Sequence, residues 1–453
     1  MDFRKELQWI MEARSRKVLS WDEQYTDEEI QQKLAEYQNE YEEGHIDFSG
    51  FIPFRLRQGK KKRDVKMYDQ LSAEEILSIY LHNKLKQRFR VEFPNRNTYI
   101  RSLFNVIYAL KDMSDYTIFK FDFEDFFNSV SSVYVYRKYI QGKGLERYQE
   151  NLLGKFVEET QFAYAGLRTS NVICEIIARN FDEEIRQAFM SKGLIYYRRY
   201  IDDGILIFNR YVSRDECGAF VQQAVEKIFH DHVDDEPVCK TTLSTGKTKY
   251  IARRYLKSGD PASVFDFLGY EFSLSIKDKK TDIKYGITGE KIEKYRKKIR
   301  QFMRQYAQDP KRNMELLRHQ IKGFSHRTVY QEVRNNKTVW INKGFLANYH
   351  ELGNHLDQLS EDTNRFLRNA LTEEAQNVLG KIPYFLKDSD KPESSCNLFN
   401  NLQRNRTQVF AERIGIGYGT LQSMSREIGI NPEDCKKYDS LLKAYLRKIG
   451  VGY

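Results

Sequence analysis

The chain has 453 residues and a formal net charge of +10, from 74 Lys and Arg residues against 64 Asp and Glu residues. This positive excess suits a polyanionic partner, and no apolar run approaches the roughly 20 residues that a membrane span needs. The five cysteines are scattered without a Cys-x-x-Cys pair, which excludes a disulfide scaffold and favours a cytoplasmic location.

The chain is predicted to begin with a helical extension, residues 1–49, followed by a basic hairpin, residues 50–68. Thr26 and Glu29 make a capping-box pattern that opens a charged helix. We expect this extension to pack on the next domain or, alternatively, to contact a second copy of the chain. Gly59 supplies the hairpin turn, and a lysine-rich run around it is either a solvated loop or a phosphate-binding segment. The basic residues around the turn are Arg57, Lys60, Lys61, Lys62, Arg63 and Lys66.

An acidic strand end follows two predicted helices, at about residues 72–86, where Ser72 and Glu75 are expected to make the cap, and at about residues 99–112. The strand Ile118–Phe123 carries Asp122 near its end. Taken alone, Asp122 is compatible with an ordinary surface acid, so its meaning depends on which groups join it in space.

The next predicted elements are helical. Residues 134–160 are expected to form helix with a break at residues 142–144, where two glycines lie. Gly166 lacks a Cβ and would let the backbone approach another group closely. Ser170 and Asn171 are expected to cap a long helix that runs from residue 172 to about residue 188.

Two adjacent carboxylates, Asp202 and Asp203, lie between two apolar, aromatic-rich arms that alternate as strands do. Gly204 is predicted to permit the tight reversal of a hairpin. Adjacent acids at a rigid tip repel each other unless a positive group neutralises them, and hard divalent cations prefer carboxylate oxygens. With Asp122, this tip is therefore predicted to supply the ligands of a two-metal phosphoryl-transfer site.

The remaining chain contains a helix that Ser213 and Glu216 are expected to cap, two short signals and a basic helix. Residues 243–249 include Lys247, and residues 267–270 include Gly269. The basic helix is predicted at residues 290–306, where a Lys and Arg face is either solvated or follows a nucleic-acid backbone. That face includes Arg296, Lys297 and Arg300. Residues 310–453 are interpreted as short helices with polar breaks.

Six stretches, in order along the chain, together resemble a reverse transcriptase. The segments around Asp122 and around Asp202 resemble motifs A and C of that family, and Phe162–Asn171 resembles motif B, although only its last glycine keeps the usual pattern. The other three resemble motif D, motif E and the basic fingers hairpin. They are Leu243–Lys249, Phe267–Tyr270 and Phe54–Lys66. The resemblance covers about residues 50–305.

The resemblance implies an α+β right-hand polymerase fold with fingers, a palm built on an antiparallel sheet, and a thumb. The expected domains are a helical N-terminal extension at 1–49, fingers and palm at 50–285, a thumb-like basic helical region at 286–330 and a helical C-terminal domain at 331–453. It also implies that Asp122, Asp202 and Asp203 are catalytic and, with Phe123, bind two Mg²⁺ ions, with Mn²⁺ as an alternative.

For the substrates, the resemblance implies a set of nucleotide-binding positions. These are Arg63, Lys66, Asp125, Phe126, Phe127, Gly166 and Lys247. Phe127 lies where the family holds a bulky side chain beneath the sugar ring, which selects deoxynucleotides. Lys247 is expected to act as a general acid or to contact a phosphate. Nucleic acid is expected to contact Lys60, Lys61, Lys62, Arg296, Lys297 and Arg300.

Within the family, the helical extension, the altered motif B and the long C-terminal region resemble bacterial abortive-infection and other defence-associated enzymes. That resemblance implies addition of deoxynucleotides to a 3′-hydroxyl or a protein hydroxyl in antiphage defence. The first alternative is a retron-like enzyme that copies a bound structured non-coding RNA, and the second is a non-catalytic RNA-binding scaffold. The expected partners are dNTPs, RNA, a DNA product and a second copy of the chain, without a membrane.

Overall fold

The structure is a computed structural model, and it describes most of the chain in two compact units. The first unit contains the residues up to Tyr99 and Asp112–Tyr255, and the second contains Ile100–Lys111 and the residues from Leu256 onward. No helix in the described ranges combines the length and the apolar character needed to cross a bilayer. The described residues are 3–19, 24–58, 61–230, 238–258, 262–334, 337–387, 391, 394, 396–435 and 437–451.

The first unit combines helices with a two-stranded β-ribbon and a five-stranded sheet. Its helices are α1 (Phe3–Val18), α2 (Asp27–Glu42), α3 (Ala73–Arg88), the start of α4 (Arg96–Ala109), α5 (Phe126–Ser129), α6 (Ser132–Val135), α7 (Arg147–Thr160), α8 (Arg168–Phe189) and α9 (Arg214–Phe229). Its strands are β1 (Ile52–Gln58), β2 (Lys61–Met67), β3 (Thr117–Glu124), β4 (Leu194–Tyr200), β5 (Asp203–Phe208), β6 (Thr242–Leu243) and β7 (Lys249–Ala252). A π-helical turn covers Tyr136–Ile140.

β3 lies at the centre of the main sheet, where every residue except the last is buried. β5 pairs antiparallel with one edge of β3 and also with β4, while β6 and β7 pair with the other edge. β3 is buried on both faces up to Phe123, although its side chains alternate between aromatic and charged from Phe119 to Glu124. This central position fixes the end of β3, where Asp122 lies, relative to β5.

One face of β3 packs against helices through aromatic rings. The ring centroids of Phe121 and Phe123 lie 5.9 and 5.2 Å from that of Phe181 on α8, and Phe123 lies 5.6 Å from Phe229 on α9. Alternate residues of a strand point to opposite faces. Lys120 and Asp122 therefore point away from this aromatic core, toward the opposite face of the sheet.

Several predicted helix starts are confirmed, and one is wrong. Thr26 and Glu29 form the reciprocal capping box of α2, and the Ser72 and Ser213 hydroxyls cap α3 and α9. The long helix begins at Arg168 rather than after Ser170, which lies buried inside α8. The error arose because a Ser-Asn pair is a common cap, while here tertiary packing extends the helix by a turn.

The second unit contains two sheets among helices. Its strands are β8 (Ser263–Phe267), β9 (Tyr270–Lys277), β10 (Lys280–Ile287), β11 (Arg327–Arg334), β12 (Lys337–Lys343) and β13 (Thr407–Phe410). Its helices, besides most of α4, are α10 (Gly289–Gln308), α11 (Met314–Ser325), α12 (Phe345–Tyr349), α13 (Glu361–Leu379), α14 (Tyr384–Lys387), α15 (Leu398–Gln403), α16 (Tyr418–Glu427) and α17 (Tyr438–Lys448). β8, β9 and β10 form an antiparallel meander, and β11 lies between β12 and β13.

The C-terminal region is not wholly helical, which corrects the expectation for residues 331–453. β11 pairs antiparallel with β12 and parallel with β13, although some 60 residues separate β12 from β13 in sequence. β13 has only four residues and lies far in sequence from β11, so it gives little local signal and its stability comes from the pairing itself. Residues 267–270 form the hairpin turn between β8 and β9, with Leu268 and Gly269 both at positive φ, of +51° and +83°.

Candidate active site

Antiparallel pairing of β3 with β5 brings the three aspartates together. Asp122 lies directly opposite Asp203 in the register of the two strands. The main-chain N–H of Phe123 donates to the carbonyl oxygen of Asp202 at 3.0 Å. Directly opposed residues of an antiparallel pair have Cα atoms only about 4.5–5.5 Å apart. Three acids from two distant parts of the sequence therefore form one cluster at the end of the sheet.

The turn between β4 and β5 differs from the expected one. Tyr200 pairs with Asp203, so Ile201 and Asp202 form the turn, and Ile201 adopts a φ of +60°, which is unusual for a β-branched residue. Gly204 lies inside β5 instead of reversing the chain. A Cβ at Gly204 would lie 2.2 Å from the ring of Phe121, so the glycine is required by close packing beneath the acids.

A buried arginine holds this turn in place. The guanidinium of Arg199 makes paired hydrogen bonds with the carboxylate of Glu175, at 2.9 and 3.1 Å, and with that of Asp182, at 2.9 and 3.1 Å. It also donates to the carbonyl oxygen of Ile201 at 2.8 Å. Both acids belong to α8. The strained turn is thus tied to the long helix by a group that stays charged in proteins.

Two lysines of the chain contact the aspartate cluster. The ammonium group of Lys120, itself buried, lies 3.5 Å from a carboxylate oxygen of Asp203. The ammonium group of Lys247 forms an ion pair with Asp122, and its side chain remains 45% exposed. Asp122, by contrast, is buried. Lys247 is therefore the group that solvent or a phosphate can reach, while Lys120 is part of the interior.

The protonation of Asp203 reflects its surroundings. Burial raises the pKa of Asp203 to about 7, while the charge of Lys120 opposes this rise and the neighbouring Asp122 and Asp202 reinforce it. Contact with the acids raises the pKa of Lys247, although its partial burial acts in the opposite direction and is the largest single effect. Crowded, partly dehydrated carboxylates of this kind are stabilised by added positive charge.

The donor set fits hard divalent cations. Asp122, Asp202 and Asp203 offer carboxylate oxygens, which Mg²⁺ and Mn²⁺ prefer. Phe123 differs from these residues, because its ring is buried in the aromatic core and its N–H is already bonded to Asp202. Only its main-chain carbonyl remains as a metal ligand.

A small cleft adjoins the acidic turn. It has a volume of about 110 Å³, and its wall includes Phe127, Asn171, Tyr200 and Ile201. The ring of Phe127 is partly exposed there. This arrangement places an aromatic ring and the acidic turn on one concave surface, as a site that senses a sugar would require.

The two neighbours of Phe127 occupy different environments. The ring of Phe126 is buried and stacks on Phe123 with centroids 4.9 Å apart, so this ring is part of the core and does not face a nucleotide. Asp125 is exposed at a φ of +43° and accepts a hydrogen bond from the amide of Asn128 at 2.7 Å. Asp125 therefore remains accessible to a ligand, whereas the Phe126 side chain does not.

Lys66 and Gly166 contact each other instead of facing open space. The ammonium group of Lys66 lies 3.0 Å from the ring centroid of Tyr164 and 4.0 Å from that of Phe51, and burial lowers its pKa to about 8. A Cβ at Gly166, whose φ is +106°, would lie 2.4 Å from the carbonyl oxygen of Lys66. Two aromatic rings attract the Lys66 cation here, and its nucleotide-binding role stays a prediction.

Some predicted binding residues cannot be assigned a contact. Lys60 lies outside the described residues, and Lys61, Lys62 and Arg63 are described only by their backbone in β2, which pairs antiparallel with β1 as predicted. The nucleotide and nucleic-acid roles of these four residues therefore stay predictions.

Two arginines of the basic helix α10 form ion pairs within the second unit, and their nucleic-acid role stays a prediction. Arg296 forms ion pairs with Glu373 and Glu374 of α13 at 2.8 and 2.9 Å, and Arg300 lies 3.4 Å from Glu374 and also pairs with Glu293. Both guanidinium groups are thus engaged in packing α10 against α13, a contact that sequence alone does not reveal. Lys297 is exposed, so it keeps the predicted availability to nucleic acid.

Sequence reasoning missed Lys120 and Arg199. Lys120 stands two residues before Asp122, so the period of a strand puts both side chains on one face. That spacing was the available signal. Arg199 carries no comparable signal, because its acidic partners Glu175 and Asp182 lie in a different element and become neighbours only in the fold.

Comparisons with known proteins give weak likenesses. No protein-family model matches the chain, and no curated protein sequence matches it significantly. Similar solved structures include the apo telomerase of Candida tropicalis truncated from its C-terminal domain, with 11% identity, a TM-score of 0.32, and coverage of 52% of this chain and 57% of that one. This chain thus spans little more than half of that structure.

Two further telomerase structures cover more of the chain. The Candida albicans telomerase, in complex with a TWJ fragment of telomeric RNA, has 11% identity and a TM-score of 0.39 over 91% of this chain and 70% of that one. The Candida tropicalis telomerase in complex with the same kind of fragment has 10% identity and a TM-score of 0.32, over 93% and 68%. Likenesses this weak do not assign a family, so the function must be argued from the chain's own residues.

Proposed function

We propose that the chain is a reverse transcriptase-type DNA polymerase, which adds deoxynucleotides to a hydroxyl group by metal-dependent phosphoryl transfer. The observation that carries this proposal is the register of β3 and β5, which sets Asp122 opposite Asp203 beside Asp202. The order of six motif-like segments along the sequence supports it, because three acids meeting at one sheet end is the arrangement those segments imply.

In this proposal each acid and each nearby cation has a role. Asp122, Asp202 and Asp203 would hold Mg²⁺, which when bound promotes ionisation of the attacking hydroxyl and offsets charge on the phosphate. The positive charge of Lys120 offsets the negative charge of the neighbouring Asp203 before the substrate arrives. Lys247 lies partly exposed beside Asp122. Its positive charge stabilises the departing pyrophosphate, or its ammonium group donates a proton to it.

The nature of the product follows from the cleft beside the acidic turn. Phe127 lines this cleft together with Tyr200 and Ile201, which lead directly into Asp202. A ring at this position would collide with a ribose 2′-hydroxyl. We therefore expect Phe127→Val to incorporate ribonucleotides at least about tenfold better relative to deoxynucleotides, since one unfavourable contact is worth 1–3 kcal/mol. Competition between dGTP and GTP in primer extension measures this ratio, and an unchanged ratio would remove Phe127 from the sugar site.

The sequence resemblance to defence-associated reverse transcriptases supports a more specific role for the chain. In this role, DNA synthesis on an RNA template or from a protein hydroxyl protects a bacterial host against phage. Phage plating on cells that carry the wild-type chain or Asp202→Asn/Asp203→Asn tests it. Protection that depends on both aspartates supports the assignment, and equal plating on both strains contradicts it.

The catalytic proposal is tested by incorporation of labelled dNTPs by the purified chain with Mg²⁺, in the presence and absence of RNA. Asp202→Asn/Asp203→Asn is expected to reduce the rate at least about a hundredfold, because the groups that stabilise developing charge are lost. Asp69→Asn, an exposed acid of the same unit, serves as the control and should retain the wild-type rate. Equal rates for the double variant and the wild type would refute the proposal.

A further inference from the structure

A polar cavity of about 340 Å³ lies within the second unit, and all the residues that line it belong to that unit. It is found where β11 and β13 begin side by side, since Arg327 and Thr407 are partners in their parallel register. The side chains that matter for its chemistry are Arg101, Arg327, His350, Glu351, Gln403 and Asn405. Its composition is therefore basic and amide-rich, with one carboxylate in the wall.

The carboxylate of Glu351 is already neutralised within the wall. It accepts a hydrogen bond from Arg101 at 3.1 Å and lies 3.0 Å from Nε2 of His350. These contacts lower the pKa of Glu351, with the hydrogen bond to His350 as the largest cause. Its negative charge is thus shared by two neighbours and does not compensate a third cation.

Arg327 is that third cation. Its Nε is buried without a hydrogen-bond acceptor among the described residues. Nδ1 of His350 is also buried and has no hydrogen-bond partner among them. The main-chain N–H of Arg327 donates to the carbonyl oxygen of Arg406 at 3.0 Å, which fixes where the side chain starts. A buried donor without an acceptor costs free energy, especially on a charged group. The partly exposed guanidinium of Arg327 therefore lines the cavity as a cation that no carboxylate among the described residues neutralises.

We propose that this cavity binds the phosphate group of a nucleotide unit, with Arg327 as its anion partner. The planar fork of a guanidinium matches two oxygens of a phosphate. The side-chain amides of Gln403 and Asn405 can both donate and accept, which suits the edge of a base or the hydroxyls of a sugar. A volume of about 340 Å³ lies within the range of pockets that hold small organic ligands, so the cavity accommodates more than an isolated ion.

This inference is independent of the proposed catalysis, because none of its residues belongs to the aspartate cluster. The test uses the full chain in EDTA without dNTPs, and three probes: inorganic phosphate, AMP, and a fluorescein-labelled RNA oligonucleotide. Arg327→Gln is expected to weaken binding of AMP or of the RNA at least about tenfold, since a hydrogen bond to a charged group is worth at least that factor. Preference for AMP or for the RNA distinguishes a free nucleotide from a polymer, and either result supports the site.

Arg413→Gln serves as the matched control, because Arg413 is an exposed arginine of the same unit that does not line the cavity. It should bind both probes as the wild type does. Arg327→Gln should also keep the wild-type unfolding temperature, because it removes a cation without leaving a carboxylate unpaired. Should this variant fold poorly, Arg327→Lys keeps the charge, removes the fork, and is expected to retain only part of the affinity.

Three results would overturn the proposal: binding by Arg327→Gln equal to wild type, equal losses in Arg327→Gln and Arg413→Gln, or binding of inorganic phosphate alone. A chain without polymerase activity that still shows Arg327-dependent binding would refute only the catalytic proposal. Asp202→Asn/Asp203→Asn should retain this binding, which separates the two sites.

Discussion

At the scale of single residues, two lysines of the chain partly offset the negative charge of the crowded aspartates in the candidate site. Lys247 reaches Asp122 from a partly exposed position, while Lys120 approaches Asp203 from the interior. Burial of Asp203 favours its neutral form. Lys120 and Lys247 therefore offset part of the negative charge of the acids, and a bound divalent ion would compete with these ammonium groups for the carboxylate oxygens.

Asp203→Asn is expected to stabilise the metal-free protein in a pH-dependent way. The folded pKa of Asp203, about 7, lies above its ordinary value of 3.8. The stability linked to its proton is therefore complete below about pH 4 and is lost as the pH rises through about 7. The variant lacks this loss, so its unfolding temperature in EDTA should exceed that of the wild type at about pH 8 by more than at about pH 5. The same difference at both pH values would contradict the assignment.

Arg199→Met is expected to destabilise the first unit strongly. Removing the guanidinium leaves the nearly buried carboxylates of Glu175 and Asp182 without their partner. Breaking one side of such a buried network costs about 3–5 kcal/mol. The adjacent Arg198, which lies near the rings of Tyr99 and Tyr196, provides the control.

Urea denaturation measures this effect as the free energy of unfolding. Arg198→Met should stay within about 1 kcal/mol of the wild type, a usual range for a residue outside a buried network. Equal losses in the two variants would show that the network with α8 contributes nothing special to the turn.

At the scale of elements, the site depends on how closely β3 and β5 approach. Gly204 of β5 faces the ring of Phe121, which is fully buried on β3. Gly166 illustrates a different constraint, since the atom nearest to an added Cβ there is a main-chain oxygen of Lys66. A side-chain change can relieve the first contact but not the second.

Gly204→Ala is therefore expected to cost about 1–3 kcal/mol by overpacking. Adding Phe121→Leu should recover part of that loss, because the smaller side chain makes room for the new methyl group. A double-mutant cycle in urea gives the coupling between the two positions. Strictly additive losses would contradict the close contact.

Features with a local sequence signal could be predicted, whereas features that depend on contacts between distant residues could not. The capping pairs at Thr26 and Ser72 and the strand carrying Asp122 have local signals, and the structure has them as predicted. The roles of Gly204 and Lys66 depend on Phe121 and Tyr164, each distant in sequence, so no local pattern reveals them. Local sequence patterns predict where helices and strands begin, whereas tertiary packing decides which groups a side chain contacts.

At the scale of the whole molecule, the division of the chain is not contiguous in sequence. Ile100–Lys111 belongs to the second unit, while the residues on either side of it belong to the first. The predicted boundaries at residues 49, 285 and 330 do not coincide with this division, because sequence patterns mark breaks along the chain rather than returns in space. The three aspartates nevertheless lie in one unit, as the predicted convergence requires.

The central claim is that these three aspartates, from two parts of the first unit, form one metal centre. Its most direct test counts Mn²⁺ ions bound per chain by electron paramagnetic resonance, with a non-hydrolysable dNTP analogue present. About two ions are expected for the wild type, fewer for Asp122→Asn, and the wild-type number for Asp69→Asn. An Asp122→Asn chain that binds Mn²⁺ with unchanged number and affinity would contradict the account.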